Sequence, residues 1–148
     1  MDNSEIAVQY FKEGFNCSQS VFAAFSEKSG IDKDLALRIA AGFGGGIARM
    51  QQTCGAVTGA VMAIGYVKGH TQPDAVEQKE KVYELTREFV DRFIQRHKTI
   101  KCSELLGCSL ETEDGRNQAK ELNLFETICS HCVRDAVEIL DEMNLSDK

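Results

Sequence analysis

The sequence predicts an all-α, single-domain helical bundle of about five to six helices with one glycine-rich interruption. Two observations carry that expectation. Proline is nearly absent, Pro73 being the only one in 148 residues. β-Branched alternation is scarce, while apolar residues recur at helical spacing. The chain is long enough to bury a core without disulfide staples and reads as one domain over residues 1–148.

Ala7, Phe11 and Phe15 recur every four residues beside Tyr10, giving a first amphipathic helix that ends near Gly14. Asn16 caps a second helix with Gln19 as its capping-box partner, and Gly30 ends it. Asp32 or Asp34 opens a short third helix through Leu35, Leu37, Ile39 and Ala40. The chain then breaks at Gly42-Phe43-Gly44-Gly45-Gly46. Thr53 is the expected N-cap of a fourth helix running to about Val67. Its small-residue stripe of Gly55, Gly59 and Ala63 lets another backbone approach, which places this helix at the centre.

Gly69, His70 and Pro73 mark a turn, and a long helix follows from about Asp74 to His97. Val82, Leu85, Phe89 and Phe93 line one face of it. A helical turn is expected over Cys102–Leu106, stopped by Gly107, with a loop over 108–117. Asn123 and Glu126 read as a capping box opening the last helix. Its core face would hold Cys129, Val133, Ala136, Leu140 and Met143, and Ser146-Asp147-Lys148 should fray.

Charge and hydropathy narrow the function. The net charge of −6, from 17 basic and 23 acidic side chains, argues against nucleic-acid binding, which needs a basic patch. Met1-Asp2-Asn3-Ser4-Glu5 is polar and acidic, unlike a secretory signal. The most apolar stretch, Gly55 to Val67, falls short of the roughly 20 residues a membrane span needs. These features predict a cytoplasmic protein without membrane insertion. In that compartment six cysteines are expected to be reduced, metal-bound or catalytic rather than paired as structural disulfides.

Cys17 and Cys54 each fall at the first position of an expected helix, where free N–H groups and the helix dipole favour a thiolate. Cys102 follows Lys101, a weaker influence of the same sign. Cys129-Ser130-His131-Cys132 has the spacing of a redox dithiol or half a zinc site, and fits core packing equally well. With no second close pair, no zinc ribbon is implied. The glycine run with Arg49 reads either as an anion nest or as a sharply turning connection that delivers Cys54. It lacks a Gly-Lys-Ser/Thr ending and no strand precedes it, which favours the connection. Of His70, His97 and His131, only His131 is a candidate auxiliary ligand, and no serine–histidine–acid signature is present.

Several ordered stretches together resemble the C_GCAxxG_C_C family of redox-active proteins. They are Asn16-Cys17-Ser18-Gln19-Ser20-Val21, Ala40-Ala41-Gly42-Phe43-Gly44-Gly45-Gly46 and Cys54-Gly55-Ala56-Val57-Thr58-Gly59. Cys102-Ser103-Glu104-Leu105-Leu106-Gly107 and the segment from Cys129 to Ala136 continue the likeness in order. The resemblance implies a set of four cysteines, Cys17, Cys54, Cys102 and Cys129, as the cofactor-binding or metal-binding group. Cys129 is chosen over Cys132 because the family's cysteine stands four residues before a valine, here Val133. Thr53 departs from the glycine the motif leads one to expect, and Cys108 and Cys132 lie outside the set.

The resemblance further implies electron transfer with a redox protein partner. Three readings follow. Four thiolates match the ligand count of an iron–sulfur cluster and equally of a zinc site. A metal-free protein would instead cycle thiols and disulfides as an oxidoreductase, with Cys17 or Cys54 attacking and a second cysteine resolving. Last, the chain would be a non-catalytic scaffold or homo-oligomer with buried cysteines.

Overall fold

The structure, a computed structural model, describes residues 1–147. Of the fraying expected over Ser146-Asp147-Lys148, Lys148 lies outside them, while Leu145–Asp147 form a 3-10 turn. The described residues form eight α-helices rather than five or six: α1 (Asn3–Glu13), α2 (Cys17–Ser29), α3 (Lys33–Ala40), α4 (Gly55–Lys68), α5 (Val76–His97), α6 (Cys102–Leu106), α7 (Glu113–Glu121) and α8 (Ser130–Met143). Among the described residues there is no strand, only an isolated bridge between Thr53 and Lys101. No helix among them is long and apolar enough to cross a membrane.

Local sequence explains most boundaries. Asn16 accepts from the Gln19 N–H at 2.9 Å while the Gln19 side chain accepts from the Asn16 N–H at 3.1 Å, the expected reciprocal cap of α2. Asp32, not Asp34, caps α3 through the Leu35 N–H. Three expectations need correction. Residues 108–117 are not wholly loop, because Thr112 caps α7 through the Gly115 N–H at 3.0 Å. Asn123 is left-handed (φ 58°) and closes the preceding turn rather than capping a helix. The last helix opens instead through a π turn over Phe125–Cys129, in which the Ser130 N–H donates to the Phe125 carbonyl. That wider turn offsets the register, so Leu124 and Phe125 serve a smaller apolar cluster while α8 serves the main core.

Helix α2 lies against α4, with α1, α5 and α8 around them. The approach is close because α4 carries glycine there: a Cβ on Gly59 would stand 2.8 Å from the Ser18 carbonyl. Val21, Ile64, Leu85, Phe89, Phe93, Ile139 and Met143 fill the main core. The smaller cluster gathers Cys102, Leu106, Leu110 and Ala119, with Cys129 and Ile128 packed on it. Ile128 also touches the main core, so the seam between the two clusters runs beside the cysteines.

Candidate functional site

All six cysteines are free thiols. Helix starts and one loop bring most of them to the seam. Cys17 begins α2, and Cys102 begins α6. Cys54 is the N-cap of α4 rather than its first residue, with Thr53 one position earlier than a cap would be. Cys129 ends the π turn and Cys132 follows in the first turn of α8. Cys54, Cys102 and Cys132 are buried, whereas Cys17, Cys108 and Cys129 are half-buried.

The loop between α3 and α4 sets two of these positions. Gly45, Gly46, Ile47, Ala48 and Arg49 all have positive φ, and Gln51 follows at 57°. Left-handed backbone costs an L-residue about 1–2 kcal/mol, so such a run persists only where its surroundings hold it. They do: the N–H groups of Ile47 through Gln52 donate to carbonyls within the loop, including Gln51 to Gly45 and Gln52 to Gly46, both at 2.9 Å. Those donors are spent internally, which shapes the run into a tight turning connection. Backbone bonds then tie the loop to the Cys102 segment, with the Cys54 N–H on the Ile100 carbonyl and the Cys102 N–H on the Gln52 carbonyl, both at 2.7 Å. The buried Gln51 side chain completes the tie, donating to the Cys108 carbonyl at 2.7 Å and accepting from the Leu110 N–H at 3.0 Å.

Two thiol pairs result. Cys54 interacts with Cys132, and Cys17 with Cys129. The Cys132 thiol together with the Ala56 and Val57 N–H groups at the start of α4 stabilise the Cys54 thiolate. Its pKa therefore falls below the ordinary thiol value despite burial. The counterpart is Cys132, held protonated by its bond to Cys54 and by burial. Cys17 is not the activated thiol that its helix start suggests. Its contact with Cys129 and its burial push its pKa well up, outweighing the helix dipole. Burial, with Cys54 and Cys129 nearby, pushes Cys102 up to about 12.

Sequence reasoning left Cys132 outside the site, and the structure places it against Cys54. It also passed over His97, whose Nδ1 lies 3.9 Å from the Cys132 Sγ across the α5–α8 contact. Nε2 of the same ring is 2.8 Å from Asp135 Oδ2. No local signal reports such a pairing, because the partners are far apart in the chain. His131, the histidine favoured by its place between two cysteines, is exposed.

A family model described as "Putative redox-active protein (C_GCAxxG_C_C)" matches residues 15–143. No curated protein and no solved structure gives a significant match to the chain.

Proposed function

The chain belongs to the C_GCAxxG_C_C family, and we propose that its redox unit is the dithiol of Cys54 and Cys132, coupled to the outer pair Cys17 and Cys129. The observation that carries this reading is the pairing of Cys54, whose ionisation its neighbours favour, with Cys132, whose ionisation they oppose. A thiolate attacks a disulfide and a neighbouring thiol resolves the product, which is the division of labour thiol–disulfide exchange requires. The outer pair is half-buried and meets the oxidant, a disulfide of a small thiol or of a redox protein partner. Cys54 then attacks the outer disulfide, Cys132 closes on Cys54, and the outer pair is left reduced. Two electrons thereby pass from the inner sulfurs to the partner. A cytoplasmic setting, whose thiol pool regenerates the dithiol, belongs to this reading.

The family resemblance also supports a second reading, an iron–sulfur cluster or zinc on Cys17, Cys54, Cys102 and Cys129, since these thiols come from separate segments toward one seam. Against that fit, no three Cys, His, Asp or Glu side chains among the described residues stand in an arrangement that would hold a metal ion.

One experiment separates the two readings. The protein is purified without oxygen, assayed for iron, zinc and sulfide, and then titrated with oxidised glutathione. A metal-free protein that loses about 2 mass units per disulfide and maps a Cys54–Cys132 bond supports the dithiol. Stoichiometric metal, released when Cys102 is replaced by alanine, overturns it in favour of the second reading.

A further inference from the structure

Closing a dithiol to a disulfide releases thiol protons, and in an apolar core such a proton needs an acceptor. Cys132 is 1% exposed, so water has little access to its sulfur. The base touching it is His97, with Nδ1 at 3.9 Å from Sγ. Asp135 accepts from Nε2 at 2.8 Å, an arrangement that assigns the ring proton to Nε2 and leaves the Nδ1 lone pair toward the sulfur. The Phe93 ring, 4.6 Å from the imidazole centroid to centroid, fixes the plane of the histidine. Arg96 holds the other Asp135 oxygen at 3.3 Å. The His97 and Asp135 side chains are 15% and 24% exposed, so the chain of contacts runs from the buried thiol outward to solvent.

We propose that His97, oriented by Asp135, is the general base of the buried dithiol and takes the Cys132 proton as that sulfur attacks. The proposal rests on the dithiol reading above. The step begins with Cys54 Sγ joined in a mixed disulfide to Cys17, Cys129 or an external thiol. The Cys132 S–H bond breaks and its proton passes to His97 Nδ1. The sulfur's electron pair forms a bond to Cys54 Sγ, the older Cys54 disulfide bond breaks, and its pair leaves on the displaced thiolate. Cys54 and Cys132 are oxidised together by two electrons, and the donor disulfide ends as two reduced sulfurs. Asp135 stabilises the imidazolium until its proton passes to water at the rim. The charged and titratable groups around the ring are Cys132 and Asp135 from α8 and Arg96 from α5, with Cys54 of the α4 start behind Cys132.

The test adds oxidised glutathione to the reduced protein, quenches with acid at intervals and maps disulfides by mass. In His97→Gln, closure of the Cys54–Cys132 bond is expected to slow by about 100-fold at neutral pH, the usual worth of a general base. Species with Cys54 still joined to glutathione, Cys17 or Cys129 should accumulate. Raising the pH should speed closure more steeply in the variant than in the wild type, whose base already takes the proton at neutral pH, whereas a merely structural role would leave the two pH slopes alike. Asp135→Asn should slow closure by about tenfold, and if His97→Gln loses helicity, this variant decides alone. Closure at the wild-type rate, or slow closure with the wild-type pH slope, overturns the proposal while leaving the dithiol standing. A wild-type protein that forms no Cys54–Cys132 disulfide overturns both.

Discussion

Gly46 and Cys102 meet at the closest approach between the left-handed turn and α6: a Cβ on Gly46 would stand 2.8 Å from the Cβ of Cys102. The same Cβ would lie 2.7 Å from the Gln52 nitrogen, and Gly46 itself has φ +69°. Gly46→Ala therefore adds backbone strain to a steric clash with main chain that cannot swing aside. The expected cost is about 2–4 kcal/mol in urea unfolding. Cys102 should at the same time become more reactive toward an alkylating reagent under native conditions.

Substitution in the same turn has the opposite sign at Ala48, which is exposed and held at φ 47°. Ala48→Gly removes the left-handed penalty and returns part of it as added freedom of the unfolded chain. A stabilisation of about 0.5–1 kcal/mol is expected, and Ala48→Val should destabilise. Paired urea melts of the two variants check both signs.

Cys54 should be the first thiol of the reduced protein to ionise as pH rises. Its bond from Cys132 and the α4 N–H groups lower its pKa, while Cys17, Cys102 and Cys132 are all shifted upward. Thiolate absorbance near 240 nm should lose its lowest-pH step in Cys54→Ala and keep it in Cys102→Ala. Retention of that step in Cys54→Ala would show that another sulfur carries the charge.

Alkaline stability follows from Cys102. Its folded pKa is raised from 9.0 to about 12, so the protonated thiol contributes stability that is complete below pH 9 and lost as pH climbs toward 12. The slope from this group approaches ~1.4 kcal/mol per pH unit over that window. Cys102→Ser should flatten the fall of unfolding free energy between pH 9 and 11, measured by urea titration at each pH.

The parts of the fold that were legible in the sequence are those set by neighbours in the chain. The Asn16–Gln19 cap, the Gly30 stop and the close-packing glycine stripe of α4 all act within a few residues. Helix α7 escaped because Glu113–Glu121 holds one apolar side chain, Ala119, and so has no hydrophobic period to read. The π turn escaped because Asn123 and Glu126 mimic a capping box, while the left-handed Asn123 backbone serves another purpose. At the site, the helix start favours ionisation of Cys54, while at Cys17 the neighbouring Cys129 and burial outweigh it, and neither of those is written in the local sequence. Cys132 and His97 became partners through the packing of α5 on α8, which no spacing rule encodes.

The backbone bonds that join Cys54 to Ile100 and Cys102 to Gln52 make a two-segment strap out of chain that is otherwise irregular. Neither segment can leave without breaking the bonds of the other, so the strap opens as one cooperative unit. In hydrogen–deuterium exchange the amides of Cys54 and Cys102 should share a single protection factor, well above that of the exposed turn residues. Joining Cys54 to Cys132 would anchor one end of the strap to α8, and the Cys102 amide, whose own sulfur takes no part in that bond, should slow with it.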